Sequence, residues 1–235
     1  MDNHTEQLAD GVWRVEVATY VNAYVVANDG RGDAEGLTVI DTGWRKSGSR
    51  LVRSIRLAGL DPRAVGDVLL SHWHTDHAGA AARFARSSAG ATVWIGEADH
   101  PVITGAVARP PDADGTRLAR LLNPRWPMPE PVEDARVLTP GQHFDVGGGL
   151  DVVAAPGHTP GHCAFLLPER GVLLSGDAVF NIWLLSRGPR FMCSALPALP
   201  ATLRRLAGLS FDTLGVTHGP PLTRDAPARV AALVP

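Results

Sequence analysis

The sequence predicts an α/β fold in which two β-sheets pack face to face and each is covered on its outer side by helices. Three observations carry this expectation. Short apolar strands dominate both halves, amphipathic helical stretches fall between them, and no internal repeat or Ser/Gly linker separates the halves. With 235 residues, 45% hydrophobic and 20% charged, the chain has ordinary globular composition and enough apolar content for a sizeable core. Residues 1–235 therefore read as a single domain.

The elements follow in order. Strands are expected at Val12 to Val17, Ala23 to Ala27 and Leu37 to Ile40, with Gly30, Gly32 and Gly36 marking the turn between the last two. A helix starts near Ser47, with Leu51, Ile55 and Ala58 on one face. Gly59 and Pro62 stop it. Val68 to Leu70 is a short buried strand, Asp76 to Ala85 reads as one helix, and Thr92 to Ile95 as another strand. The stretch 104–131 is a Pro-rich loop insertion around a helical piece near Leu118 to Leu122, a pattern typical of lids and binding loops. Strands near Val137, at Leu150 to Ala154, Ala164 to Leu167, Val172 to Leu174 and Thr213 to Thr217 come next. Helices are expected from Pro200 to Ala207 and from Asp225.

Charge excludes more than it proposes. Net charge is −2 with no block of like sign, which offers no electrostatic footprint for nucleic acid. The polar, acidic start lacks the form of a signal peptide, and no run approaches the ~20 apolar residues of a membrane span. The expectation is a cytoplasmic protein without a membrane partner; composition leaves the oligomeric state open. Cys163 and Cys193 are the only cysteines, too few for a disulfide framework, though a single bond between them is allowed. A small buried thiol is the expected role of Cys163.

The chemistry sits in Ser71-His72-Trp73-His74-Thr75-Asp76-His77. This segment follows an apolar strand and opens a helix. In extended backbone His72 and His74 face one side, while Asp76 and His77 lie at the turn into the helix. Chance would produce HxHxDH about once in a thousand such chains. Imidazoles packed this densely need polar partners, and metal ions are the natural ones. His158, Asp177 and His218 each follow a strand, at turns rich in Gly and Pro. Asp41-Thr42-Gly43 is half of an aspartic protease dyad in form, but no second Asp-Thr-Gly exists to complete it. His162 is expected to be structural or to support a ligand, and His4, His100 and His143 to be surface or satisfied residues.

With Val39-Ile40-Asp41-Thr42-Gly43 near the start, then HxHxDH, His158, Asp177 and His218 in order, the chain resembles the metallo-β-lactamase superfamily, with a glyoxalase II-like metal site. The resemblance covers most of the chain. It implies a four-layer αβ/βα sandwich of two mixed β-sheets flanked by helices, with the site at the edge between the sheets. It also implies two divalent metal ions, one on His72, His74 and His158 and one on Asp76, His77 and His218. Asp177 would bridge them, and Asp41 would support the ligand loop from behind. Zinc is the expected metal; iron and manganese suit the same donors. The implied activity is hydrolysis of a small molecule with an ester, thioester, lactone or similar bond. The nucleophile would be a hydroxide bridging the two ions, with Asp76 and Asp177 as the catalytic carboxylates. The alternative is an iron-dependent redox enzyme of the same fold, similar to persulfide dioxygenases.

Departures from particular relatives narrow the substrate. Asp177 argues against β-lactam hydrolysis, and Ala178-Val179-Phe180 lacks the Tyr typical of quorum-signal lactonases. The chain ends soon after His218, where glyoxalase II continues into a glutathione-binding extension. Phe180, Ile182, Trp183, Leu184, Leu185, Phe191 and Met192, with Trp126 and Met128, are candidates for an apolar pocket formed by the loops 104–131 and 178–195. Arg187 and Arg190 are candidates for a substrate carboxylate.

Overall fold

The structure is a computed structural model that describes residues 4–28, 36–87, 90–108 and 127–234. The first sheet holds β1 (Thr5–Ala9), β2 (Val12–Ala18), β3 (Val21–Ala27), β4 (Leu37–Ile40), β5 (Val65–Leu70), β6 (Thr92–Gly96) and β7 (Arg136–Leu138), in that spatial order. Pairing is antiparallel from β1 to β4 and parallel from β4 to β7. The second sheet holds β8 (His143–Phe144), β9 (Leu150–Ala154), β10 (Cys163–Leu167), β11 (Val172–Leu174) and β14 (Thr213–Gly215), in the order β14-β11-β10-β9-β8. A hairpin, β12 (Phe180–Asn181) and β13 (Leu185–Ser186), stands apart. Both large sheets are mixed.

The side-chain period of two sorts residues into layers. From the first sheet, Tyr24, Ile40 and Leu69 point inward and meet Val152, Phe165 and Leu174 of the second. Their neighbours Val25, Val39, Val68 and Leu70 point outward onto Leu51 and Ile55 of α1 (Gly48–Leu57) and Phe84 of α3 (Ala81–Ala85). On the far side, Ala164, Leu173 and Leu214 meet Leu203 and Leu206 of α5 (Leu199–Ala207) and Val230 of α6 (Ala226–Ala231). Helix, sheet, sheet, helix: this is the expected four-layer sandwich. Truncating Phe165 to alanine would open the central layer at about 3–5 kcal/mol.

Several elements differ from expectation. The single helix expected over Asp76 to Ala85 is two, α2 (Thr75–Ala78) and α3. Thr42 causes the break. Its N–H and Oγ donate to the His77 carbonyl at 2.7 and 2.8 Å, and its Oγ accepts from Ala80 N at 3.1 Å, so those groups leave the helical ladder. The polar strand β1, the short β8 and the hairpin β12–β13 carry too little apolar patterning to be expected. The helical turn α4 (His100–Ile103) is equally unmarked in the sequence. Gly30 and Gly32 of the expected turn lie outside the described residues, as do Trp126 and the helical piece near Leu118 to Leu122.

Strand direction positions the site. β4 and β5 are parallel, so both deliver their C-terminal ends, with Asp41 and His72, to one edge of the first sheet. In the second sheet β9 and β11 are each antiparallel to β10, and β14 is parallel to β11. All three therefore end on the same side, carrying His158, Asp177 and His218 just beyond.

Candidate metal centre

All seven expected ligand residues converge there. His72 Nε2 lies 2.9 Å from His74 Nδ1, which lies 2.8 Å from His158 Nε2. His77 Nε2 and His158 Nε2 each approach Asp177 at 3.3 Å. His218 Nε2 lies 3.4 Å from Asp76 and 3.3 Å from Asp177. Only His74 is half-exposed; the other six are buried. The backbone explains the division of the HxHxDH segment: His74 is the extended residue that opens α2, so Asp76 and His77 sit in its first turn while His72 and His74 precede it.

The outward ring nitrogens settle which lone pairs face the centre. His77 Nδ1 donates to Asp41 at 2.8 Å, His218 Nδ1 to the Tyr20 carbonyl at 3.1 Å, and His72 Nδ1 to the Ser71 hydroxyl at 3.1 Å. A neutral imidazole carries one N–H, so in its neutral form each of these rings turns its Nε2 lone pair toward the centre. Asp41 also accepts from Ser71 N and Oγ, both at 2.8 Å, and adopts a positive φ of 57° that only a tightly held non-glycine residue tolerates. His162 accepts the Asp177 backbone N–H at 2.9 Å and so holds that carboxylate's chain from behind.

Charge divides the centre. Burial, reinforced by neighbouring imidazoles, holds His72 and His158 well below the ordinary histidine value, and burial lowers His74 to about 4. Burial opposes the charged form of His77 and His218 as well, but Asp177 with its fellow carboxylates outweighs it, raising His77 well above the ordinary range and His218 to about 10.

The donors fit divalent cations. The buried atoms His77 Nε2, Asp177 Oδ1 and His218 Nε2 make no hydrogen bond among the described residues and meet one another and the neighbouring carboxylate oxygens at 3.3–3.4 Å, a spacing that a cation between them would satisfy. Three sets of ligand atoms lie within 4.8 Å of one another: His72, His74, His158; His72, His77, Asp177; and Asp76, His77, His218. Imidazole with carboxylate is a donor set suited to zinc, iron and manganese.

The remaining expected residues take their places around this centre. His100 donates to the Ala135 carbonyl and His143 pairs with Asp151, so both are satisfied elsewhere. Cys163 and Cys193 are buried and form no disulfide with each other. Burial pushes the Cys163 thiol up to about 12. Arg187 and Arg190 are exposed. Phe180 stacks on His218 at 4.8 Å between ring centres and 7° between planes, whereas Trp183 and Leu184 are 91% and 69% exposed. Sequence reasoning missed Asp99. This buried carboxylate accepts from Thr159 Oγ at 2.6 Å and Gly161 N at 2.9 Å, so it ties down the turn that bears His158. Nothing in its local sequence marks it.

The family model described as the metallo-beta-lactamase superfamily matches residues 17–219. The chain belongs to this superfamily. It is 30% identical over 216 residues to N-acyl homoserine lactonase AttM of Azorhizobium caulinodans, covering 85% of this chain and 75% of that one. It is 32% identical over 161 residues to a hydroxyacylglutathione hydrolase of Aeromonas hydrophila subsp. hydrophila, covering 68% of this chain and 49% of that one. The chain thus spans about half the length of that hydrolase. In three dimensions it is similar to a metallo-beta-lactamase family protein from Thermus thermophilus, with a TM-score of 0.74, 26% identity, and coverage of 96% and 79% of the two chains. Among the described residues no helix is long and apolar enough to cross a membrane.

Proposed function

We propose that this superfamily member is a binuclear metal-dependent hydrolase of a small molecule carrying an ester, thioester, lactone or similar bond. The carrying observation is the convergence of ring nitrogens from five imidazoles and oxygens from two carboxylates, three of whose buried atoms make no hydrogen bond among the described residues. His72, His74 and His158 would hold one ion, Asp76, His77 and His218 the other, with Asp177 available to both. Zinc is the metal assigned. When bound, two divalent ions activate water near neutral pH and polarise the bond under attack.

The chain's own groups set the conditions for that chemistry. Asp41, Ser71 and the Tyr20 carbonyl fix ring orientation from behind, which keeps the donors from rotating away. Asp76 and Asp177 offset part of the cationic charge. Phe180 covers one face of His218 and makes an apolar wall beside it. The hairpin that follows is pinned at its base, with Asn181 N donating to the His218 carbonyl and Asn181 Nδ2 to the Pro220 carbonyl, both at 2.8 Å. Its exposed tip, Trp183 and Leu184, receives the apolar portion of the substrate. Relatives named for a lactone and for a hydroxyacyl-glutathione support an acyl bond of this kind.

The test is metal analysis of protein purified without added metal, followed by a panel of esters, thioesters, lactones and phosphodiesters. Two zinc ions per chain and turnover of an acyl substrate are expected. One iron per chain with oxygen-dependent turnover would replace hydrolysis by redox chemistry. Full metal loading without turnover on any panel member would remove the activity.

A further inference from the structure

One buried polar cluster plays no part in the chemistry above. Asn22 lies in β3 of the first sheet, inside the otherwise apolar run Val21-Asn22-Ala23-Tyr24-Val25-Val26, and is fully buried. It reaches across to the turn after β14 of the second sheet. Its Nδ2 donates to the Val216 carbonyl at 2.8 Å and to the Gly219 carbonyl at 2.6 Å, the two carbonyls that bracket His218. Its backbone N–H donates to the Thr217 carbonyl at 2.9 Å. Its Oδ1 accepts from Arg14 Nε at 2.9 Å, and Arg14 is itself held by Glu6 at 3.2 Å and Glu16 at 3.6 Å. The guanidinium therefore decides which side of the amide is oxygen and commits both N–H groups to the turn.

The surroundings leave that turn little freedom. Tyr24 donates its hydroxyl to the Val216 carbonyl at 2.6 Å. Gly219 has a φ of 107°, and a Cβ there would meet the Asn181 carbonyl at 2.0 Å, so the chain passes tightly between β3 and the β12–β13 hairpin. Tyr20, just before β3, supplies the carbonyl that takes the His218 Nδ1 proton. An amide at a buried strand position is unfavourable unless every polar atom is paired, and here each one is. Among neutral side chains, only an amide can donate twice to carbonyls while accepting from an arginine.

We propose that Asn22 is the positioning residue for His218, bolting the His218 turn to the first sheet so that its Nε2 faces Asp76 and Asp177. This rests on the metal reading given above. The experiment is a cobalt titration of chelated wild type, Asn22→Asp and Asn22→Leu, with the shifted imidazole N–H resonances recorded on the loaded proteins. Asn22→Asp keeps the size of the side chain but turns two donors into acceptors. Binding at the three-imidazole position should stay within about twofold, whereas binding at the position served by His218 should weaken about 10–100-fold. The His218 Nδ1–H resonance should move while that of His72 stays.

Unchanged affinities and an unmoved His218 signal in both variants would overturn the inference. So would equal weakening at both positions, which marks general destabilisation. A wild type that takes up no cobalt would overturn the metal reading together with the inference; a two-cobalt wild type with indistinguishable variants would overturn the inference alone. Should the Asn22 variants fail to fold, Arg14→Met releases the amide's orientation from a partly exposed position. It then carries the test, with the same readouts and the same results for and against.

Discussion

The two sides of the candidate metal centre use the same side chain under similar burial and reach opposite charge states. Burial is the largest influence on His72, His74 and His158, and neighbouring imidazoles, His77 among them, add to it, so these three stay neutral. His77 and His218 are as deeply placed, yet Asp177 and Asp76, joined at His77 by Asp41, outweigh burial and hold protons on them. The balance of carboxylates against neighbouring imidazoles, not depth, makes the difference, since Asp177 lies 3.3 Å from His158 as well. The three-imidazole side is ready to accept a cation at neutral pH. The carboxylate-rich side would have to give up protons as a cation entered, which would couple binding there to pH.

The most severe way to break this contrast is Asp177→Ala, because that carboxylate lies 3.3 Å from His158 on one side and from His77 and His218 on the other. Activity should fall on the order of a thousandfold or more, and elemental analysis should show fewer than two ions per chain. Retention of two ions would end its shared role. A more selective change is Asp41→Asn, which weakens the acceptor for the His77 Nδ1 proton. Metal affinity on the carboxylate-rich side should drop about 10–100-fold with a smaller change on the other side. Equal losses in a two-step titration would erase the distinction.

Acid sharpens the contrast without a mutation. In chelated protein the unfolded chain takes up protons below the ordinary histidine value of 6.5, whereas folded His74 does so only near 4. Stability is therefore full above 6.5 and is lost as pH falls from 6.5 toward 4. With its partial exposure allowed for, this residue accounts for on the order of 2 kcal/mol. His218 works in reverse: its contribution is complete below 6.5 and disappears as pH rises through about 10. Urea melts across this range should show a decline on both flanks, and a flat acid flank would contradict the neutral trio.

Smaller effects lie at the rim. Trp183→Ala should raise KM for substrates with long apolar chains by about three- to tenfold at constant kcat, and leave stability within about 0.5 kcal/mol. An equal change for short and long substrates would remove the tip from recognition. The mildest substitution is Cys163→Ser, with activity within about twofold; a large loss would give this thiol a role that its buried, protonated state does not support.

Much of this is legible in the chain because it is local. Leu37–Ile40, Leu150–Ala154 and Val172–Leu174 end where apolar patterning says they should. The HxHxDH spacing names its own donors, since backbone geometry over six residues is short-range. The helix after it departs from its pattern because Thr42, distant in sequence, captures groups on both sides of the break. Asp99 carries no local signal at all. Asn22 carries a faint one, a polar residue amid an apolar strand, whose meaning depends on what faces it.

By itself, then, the sequence determined the apolar strands and the longer helices and the residue types able to serve a cation, because periodicity and ligand spacing are properties of neighbouring residues. The tertiary structure alone decided that the ends of β4, β5, β9, β11 and β14 share one edge. It also decided that five chemically identical rings divide into neutral and charged groups, and that Asn22 and Asp99 brace turns far from them in the chain. Those outcomes follow from strand direction, register and packing between sheets. Together these bring into contact groups separated by up to nearly two hundred residues, as between Asn22 and Gly219.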